Sequence, residues 1–200
     1  MSPISLFLAF TLLLAYFALH SVLAADSVKT WFAARLGANV RYYRLAYNVM
    51  ATLLLLILLY WLAGWADGFL FKKNAWTNAV AFVLLAVGAW LSIGSLWQYD
   101  LGEFTGIQQL QQKNSPPNQC SLNTIGFNAI VRHPLYLGLI LVLLGVFLFY
   151  PKMSALLLLA SVLVYLPFGI YLEEKKLRRV FGQAYLDYEK LVKCLIPGIW

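Results

Sequence analysis

Five long apolar stretches without a charged residue limit the folds that this chain can adopt. They cover residues 4–25, 45–66, 74–99, 134–151 and 153–172. A helix needs about 20 mostly apolar residues to cross a hydrocarbon core roughly 30 Å thick. Because lipid offers no partner for backbone N–H and C=O groups, a crossing segment must form its hydrogen bonds internally. We therefore predict an all-α, polytopic membrane protein with about five transmembrane helices.

The composition excludes an ordinary soluble domain. Apolar residues make up 62% of the chain and charged residues 12%, about half the charged share of a typical soluble domain. The first stretch has no basic residue before it and a long apolar run, so we predict a membrane span rather than a cleaved signal peptide. The lipid bilayer is therefore the partner that we expect first.

The distribution of Lys and Arg predicts the orientation. Five spans place three cations, Lys72, Lys73 and Lys152, on one side and the remaining twelve on the other. Cytoplasmic loops carry the excess of Lys and Arg, so we expect the N-terminus outside and the C-terminus inside. In a bacterial cell this membrane would be the inner, or plasma, membrane. The net charge of +7 follows from this bias and from attraction to anionic lipid, so we expect no nucleic acid partner.

The chain reads as a single integral membrane domain, residues 1–200, in two parts. Residues 1–100 hold three spans, and residues 101–200 hold a polar loop, a helical hairpin and a tail. Pro151 predicts the turn of the hairpin because proline disfavours helix around it. The tail carries many charges, and its apolar residues share one helical face: Leu177, Phe181, Tyr185, Tyr188 and Val192. We predict a C-terminal amphipathic cytosolic helix, broken or bent at Gly182.

The cysteines and histidines show no metal-binding pattern. The two Cys and two His residues are scattered along the chain, so we expect no metal. Cys120 and Cys194 both fall on the expected cytoplasmic side, where a structural disulfide is not expected. The sequence gives no indication of oligomeric state.

Two polar clusters border the last two apolar stretches. The first runs Arg132-His133-Pro134-Leu135-Tyr136-Leu137-Gly138, and its proline suits the first turn of a helix. The second is Glu173-Glu174, a pair of carboxylates that is costly at a membrane boundary unless solvated, paired or bound. The residues alone leave two interpretations open. The clusters form a functional site, or Arg132 is an interfacial anchor and the glutamates pair with the cations of residues 175–179.

At these positions the chain resembles a family of small membrane methyltransferases. The string Thr124-Ile125-Gly126, five residues, then the 132–138 cluster is similar to the family signature, as is the later pattern of Glu173-Glu174, Leu177, Phe181-Gly182, Tyr185, Tyr188 and Pro197. The family includes isoprenylcysteine carboxyl methyltransferases, phospholipid N-methyltransferases, methanethiol S-methyltransferases and NnrU-type proteins. Leu19-His20-Ser21 and Tyr43-Arg44-Leu45 look most like the NnrU and methanethiol branches.

The resemblance implies a methyltransferase that uses S-adenosyl-L-methionine in a cytoplasm-facing pocket. Carried over residue by residue, the cofactor-binding positions are Cys120, Ser121, Leu122, Asn123, Asn128, His133, Pro134, Leu135, Tyr136 and Glu173. Arg132 and His133 are catalytic candidates, and we expect Arg132 to support the carboxylate or hold the loop. His20 is a third candidate, as a general base or a hydrogen-bonding group on the substrate path. Its alternative role is to form a hydrogen bond with a neighbouring helix or to extend its polar ring to the membrane interface.

Departures from the family pattern bear on the substrate. Cys120, Asn123 and Asn128 stand where the family often has His, Val and Tyr. Gly169 stands where the prenylcysteine enzymes carry an Arg, so a carboxylate substrate would lose its cationic partner. We therefore expect a small or lipophilic methyl acceptor, such as a thiol or a lipid headgroup. Two alternatives stay open: a non-catalytic NnrU-type protein that kept the fold, and a membrane NADPH-dependent reductase of related architecture.

Overall fold

The architecture is helical, as the apolar stretches predict. The computed structural model describes residues 2–65, 67–98, 107 and 122–198. Within these residues every regular element is a helix, and two isolated β-bridges are the only pairings of extended backbone. The described residues form two compact units, the first with residues 2–65 and 107, the second with residues 67–98 and 122–198. The single domain expected from the sequence stays a prediction.

The first unit holds three α-helices and a 3₁₀-helix. They are α1 (Pro3–Ala24), α2 (Asp26–Leu36), a 3₁₀-helix (Gly37–Tyr42) and α3 (Tyr43–Ala63). The side chain of Ser2 caps α1 by accepting a hydrogen bond from the backbone N–H of Ser5, which satisfies one free donor at the helix start. The hydroxyl of Tyr43 donates to the carbonyl of Leu23 at 2.9 Å, and this bond joins α1 to α3.

The second unit holds four α-helices and the candidate site. They are α4 (Ala75–Leu96), a 3₁₀-helix (Gly126–Ala129), α5 (Pro134–Phe149), α6 (Met153–Phe181) and α7 (Gln183–Leu191). Asn74 and Thr77 cap α4 reciprocally in a capping box. Helix α6 ends where Gly182 adopts a φ of +55°, a left-handed conformation that favours glycine. The break therefore lies at the residue where the sequence predicts it.

Four of the described helices, α1, α3 with the residues just before it, α4 and α6, are long and apolar enough to cross a bilayer. The protein is therefore a multi-pass membrane protein. Helix α5 has 16 residues and a length of about 24 Å, so its expected role as a fifth span stays a prediction. Helix α6 has 29 residues, or about 43 Å, and its charge-free part is residues 153–172. Its last turns therefore project beyond the apolar segment.

Helices α4 and α5 run antiparallel in close contact because glycines line their interface. A Cβ added at Gly88 would lie 2.7 Å from the backbone N of Val142, and one at Gly138 would lie 2.8 Å from the carbonyl O of Gly88. Gly145 meets the carbonyl of Ala81 in the same way, at 3.0 Å. Small residues let membrane helices approach each other closely. This contact fixes the position of His133, which immediately precedes α5.

The two ends of the second unit carry different cations. At the C-terminal end of α5, the N–H of Leu70 donates to the carbonyl of Pro151 at 2.7 Å, and the ammonium of Lys73 lies 5.2 Å from the ring centroid of Phe149. Lys152 follows the same helix end. Arg132 lies at the other end of α5, in agreement with the grouping of cations expected from the sequence. Which end faces the cytoplasm stays a prediction.

Candidate active site

The site forms where the segment before α5 meets the segment after α7. The N–H of Arg132 donates to the carbonyl of Lys193 at 2.8 Å, and the N–H of His133 donates to the carbonyl of Cys194 at 3.0 Å. Val131 and Lys193 form a parallel bridge at the same place. These bonds satisfy backbone donors near the start of α5, which would otherwise lack partners. They hold the two polar side chains of the motif against α6.

Arg132 connects α6 to the part of the tail that follows Gly182. Its Nε and Nη2 both donate to Oε1 of Glu174, at 2.9 and 2.6 Å, while its Nη1 donates to the carbonyl of Val192 at 2.7 Å. The two charged side chains are largely buried, at 11% and 9% exposed. Hydrogen bonds between two charged partners are among the strongest in proteins. The guanidinium therefore holds Glu174 and the end of the tail in one arrangement.

Glu174 is the centre of a larger ion cluster. Arg178 donates to its second oxygen at 3.3 Å and to the carboxylate of Glu189 at 2.7 and 3.0 Å. Burial alone would raise the pKa of Glu174, but hydrogen bonds from His133 and Arg132 outweigh burial and lower the pKa to about 2. Glu174 is therefore ionised at neutral pH. An ionised carboxylate can only accept hydrogen bonds.

His133 lies between the two glutamates of the second cluster. Its Nε2 is 3.2 Å from Oε1 of Glu174, and its Nδ1 is 3.6 Å from Oε2 of Glu173. The imidazole stacks on the ring of Tyr136, with centroids 5.5 Å apart. Among the residues that the structure describes, none donates a hydrogen bond to the buried Oε2 of Glu173. A buried acceptor without a donor calls for an explanation, and an absent ligand is one.

The 3₁₀-helix before the motif brings two more candidate positions together. The side-chain amide of Asn128 donates to the carbonyl of Asn123 at 3.0 Å, and the hydroxyl of Tyr188 donates to the carbonyl of Asn128 at 2.6 Å. Asn128 is buried, and its Oδ1 receives no hydrogen bond from any described residue. The tail therefore contacts the loop on both sides of residues 129–131.

Of the remaining candidates in the second half, some lie among the described residues and others lie outside them. Pro134 is buried in the first turn of α5, and Leu135 is half-buried beside it, while Leu122 is half-buried at the start of the described loop. Cys120 and Ser121 lie outside the described residues. The structure thus places every described candidate from Leu122 to Glu173 at one end of the second unit. Their roles in binding a cofactor stay predictions.

His20 belongs to the first unit, where it lies on α1. Its ring centroid is 6.4 Å from that of Tyr16 and 6.3 Å from that of Tyr47 on α3. The surroundings are otherwise apolar, and Leu23 and Leu54 line the same shallow groove. These aromatic contacts join His20 to α3, and its alternative role as a hydrogen-bonding residue stays a prediction. Its role as a general base stays a prediction.

Three possible metal ligands also converge at the site. One ligand atom from each of His133, Glu174 and Cys194 lies within 4.8 Å of the others, and this donor set suits zinc. However, Arg132 already neutralises the carboxylate. Burial, followed by the charge of Glu174, raises the pKa of Cys194 to about 11, so the thiol carries its proton at neutral pH. Arg132, His133 and Glu174 form an ion cluster in this structure, and the expected absence of a metal stays a prediction.

Glu174 is the residue whose role sequence reasoning missed. The pair of glutamates reads as one cluster, and the family pattern carries the cofactor role to Glu173. Buried residues recur along α6 at a helical spacing: Leu159, Val162, Leu166, Ile170 and Glu174. Adjacent residues of a helix point about 100° apart, so only one glutamate can lie on this face. The helical spacing of the apolar residues on α6 is therefore the sequence signal that distinguishes Glu174 from Glu173.

A match to a protein family covers nearly the whole chain. The family model described as NnrU protein matches residues 7–192. The chain belongs to the NnrU family. This result confirms the resemblance carried by the 132–138 cluster and the tail. No solved structure matches this NnrU-family chain.

Several relatives of the NnrU-family chain are named methanethiol S-methyltransferases. The methanethiol S-methyltransferase of Pseudomonas deceptionensis is 28% identical over 98% of the chain and 74% of the relative. Methanethiol S-methyltransferase 1 of Bradyrhizobium diazoefficiens is 32% identical over 93% of the chain and 65% of the relative. The methanethiol S-methyltransferase of Crocosphaera subtropica is 31% identical over 94% of the chain and 73% of the relative. The similarity therefore extends through both units and covers most of these relatives.

Proposed function

We propose that this protein is an integral membrane methyltransferase that uses S-adenosyl-L-methionine to methylate a small thiol. The observation that carries the proposal is the buried imidazole of His133 beside the unsatisfied carboxylate oxygen of Glu173. The names of the relatives support the reaction type and the thiol acceptor. We further propose that this end of the second unit faces the cytoplasm, where the cofactor is made.

The residues present fit the proposed cofactor. Oε2 of Glu173 is a buried acceptor in need of a donor, and S-adenosyl-L-methionine offers hydroxyl and ammonium donors. His133 and Tyr136 present stacked rings at the start of α5. When bound, S-adenosyl-L-methionine supplies a methyl group on a positively charged sulfur, and the electron pair of the broken bond stays on that sulfur. The protein mainly has to position the acceptor, align it and exclude water.

The ion cluster would supply that positioning. Arg132 binds the tail through the carbonyl of Val192, and Tyr188 binds the loop through the carbonyl of Asn128. Both bonds tie the tail to the segment before α5, where the cofactor candidates lie. We propose that the tail forms one wall of the cofactor site and keeps water out of it.

The chemistry near Glu173 favours a thiol over a carboxylate acceptor. Gly169, one turn earlier on α6, provides no cation, and a Cβ there would lie 3.5 Å from its nearest neighbour, the ring of Tyr165. A carboxylate acceptor depends on a cationic partner for tight, oriented binding. A small thiol needs only to lose its proton, because the thiolate is the nucleophile.

Cofactor binding tests the proposal directly. We expect the detergent-purified protein to bind S-adenosyl-L-methionine with micromolar affinity by calorimetry. Glu173→Gln should weaken binding at least tenfold because it removes the charged acceptor, and His133→Ala should weaken binding as well. Lys175→Gln is the matched control on the same helix, since Lys175 is exposed, and its affinity should equal that of the wild type.

The opposite result has a clear meaning. A folded wild-type protein that does not bind S-adenosyl-L-methionine would contradict the proposal. The alternative of an NnrU-type membrane protein without methyltransferase activity would then be favoured.

A further inference from the structure

We infer that His133 is the proton acceptor for the thiol substrate, and that Glu174 is the positioning residue that fixes its tautomer. The inference rests on the proposed function and adds a role for each ring nitrogen. Nε2 would hold the proton and anchor the ring, while Nδ1 would receive the proton of the substrate. His133 would thereby touch the reacting thiol, and Glu174 would act only through His133.

The tautomer follows from the partners of Glu174. Oε1 of Glu174 accepts two hydrogen bonds from Arg132 and lies 3.2 Å from Nε2 of His133. An ionised carboxylate has no hydrogen to donate, so Nε2 must carry the proton for this contact to be favourable. In a neutral imidazole the lone pair then lies on Nδ1.

Nδ1 of His133 lies beside the carboxylate oxygen of Glu173 that has no donor among the described residues. Nδ1 faces Oε2 of Glu173 at 3.6 Å, and no described residue donates to that oxygen. In the tautomer protonated at Nε2, Nδ1 and this oxygen are both hydrogen-bond acceptors. The S–H group of a thiol can donate to Nδ1, while Oε2 of Glu173 accepts from the hydroxyl or ammonium donors of the cofactor.

The proton step balances with the groups present. The thiol gives its proton to Nδ1 of His133 and keeps the electron pair on sulfur, which produces the nucleophilic thiolate. The imidazolium then lies between the carboxylates of Glu173 and Glu174, which stabilise its positive charge. After the methylated product leaves, the proton passes to water and the neutral imidazole is restored.

The other ionisable groups around His133 support this division of roles. Arg132 and Arg178 bind Glu174 and keep it charged, and Glu189 pairs with both cations. Burial raises the pKa of Cys194 and of Tyr185, so neither competes as a base at neutral pH. A purely structural ion pair would need only Arg132 and Glu174, and it would not require an imidazole that is 4% exposed.

The tautomer can be observed without any activity measurement. The chain has two histidines, so ¹⁵N-histidine labelling of the His20→Gln variant in lipid nanodiscs leaves His133 as the single signal. Because Nε2 contacts Glu174, we expect the ring nitrogen shifts of the tautomer that is protonated at Nε2 and has a lone pair on Nδ1. Glu174→Gln should convert this into a mixture of tautomers. A ring protonated at Nδ1, or at both nitrogens, would overturn the inference, because Nδ1 could not then accept a proton.

Thiols of different acidity test the catalytic role. An alkyl thiol is protonated at neutral pH, whereas a nitro-substituted aryl thiol is already ionised and needs no base. At saturating S-adenosyl-L-methionine, Glu174→Gln should lower kcat about 100-fold for the alkyl thiol, within the usual range for general base catalysis. Its kcat for the ionised thiol should fall less than threefold. Lys175→Gln should leave both rates unchanged.

The outcomes distinguish a failure of the roles inferred for His133 and Glu174 from a failure of the proposed function. Equal losses with both thiols would overturn the inference and leave the proposed function intact, because Glu174 would then have only a structural role. Absence of methyl transfer to either thiol by the wild type would overturn the proposed function and the inference together.

Discussion

Among single residues, Arg132 and Glu174 are the most important for the candidate site, because they hold each other in place. Each is largely buried, and a buried charge that loses its partner is far more costly than the intact pair is stabilising. The sequence predicts that Arg132 supports a carboxylate or holds the loop. The structure places the carboxylate of Glu174 and the carbonyl of Val192 within its reach. The sequence could not predict the carbonyl of Val192 as a partner of Arg132, because every residue has a backbone carbonyl.

Removal of Arg132 should therefore destabilise the folded protein strongly. We expect Arg132→Ala to lower the free energy of unfolding by about 3 kcal/mol, because Glu174 stays buried without its main cation. The measurement is thermal unfolding of the purified protein in detergent. Lys175→Ala, an exposed control, should change the midpoint by about a degree or less. If Arg132→Ala lowers the midpoint of thermal unfolding no more than the control does, the prediction is wrong and the pair of Arg132 and Glu174 is solvated.

Stability should also depend on pH through Glu174. Its pKa is about 2 in the folded protein and 4.5 ordinarily, so the folded state binds the proton less readily than the unfolded state. The stabilisation is fully present above pH 4.5 and is lost as the pH falls towards 2. Unfolding midpoints measured across this range should fall for the wild type and change less for Glu174→Gln. Asp187→Asn, at an exposed position on α7, serves as the control, and identical profiles for the wild type and Glu174→Gln would contradict the assignment.

The apolar stretches predict helices α1, α3 and α4 to within a few residues, and they predict where α6 begins, but α6 continues past residue 172 to Phe181. Hydrophobicity suffices because lipid permits few alternatives to the helix. Helix α2 was not predicted, since its eleven residues mix charged and apolar side chains without a long apolar run. The pairing of residues 131–133 with residues 193–194 was not predictable either, because backbone hydrogen bonds between distant segments leave no local pattern.

The contact between α4 and α5 is the element-scale feature most sensitive to a single methyl group. Gly138→Ala should destabilise the protein by roughly 1–3 kcal/mol, because the new Cβ would lie 2.8 Å from the backbone of α4 and force the helices apart. The same change should weaken cofactor binding, since α5 begins at the motif. Gly169→Ala is the matched control on α6, where the nearest atom is 3.5 Å away, and it should be neutral or slightly stabilising. Equal effects of the two changes would show that the close contact does not form.

Across the second unit as a whole, the order of the helices separates the end that holds the candidate site from the end that carries three lysines. Helix α5 begins beside Arg132 and His133 and ends beside Lys152, while α6 returns the chain to Glu174. The polar residues with possible chemistry thus gather at one end, and three lysines mark the other. The charge bias of the sequence predicts this grouping because Lys and Arg counts follow the sides of the membrane.

The orientation of these ends is testable by labelling. In a variant without native cysteines, Lys72→Cys should react with a membrane-impermeant thiol reagent in intact cells. Lys190→Cys, on the exposed face of α7, should react only after permeabilisation. The reverse pattern would place the candidate site outside the cell, away from cytoplasmic S-adenosyl-L-methionine.

Transfer of a labelled methyl group to a thiol is the decisive test of the proposed function. The protein, reconstituted in lipid vesicles, is mixed with S-adenosyl-L-methionine that carries an isotopic label on its methyl group and with a small alkyl thiol. The account predicts a labelled methyl thioether, formed by the wild type and by Lys175→Gln but not by Glu173→Gln. A folded wild-type protein that leaves the thiol unlabelled, or that labels the vesicle phospholipids instead, would contradict it.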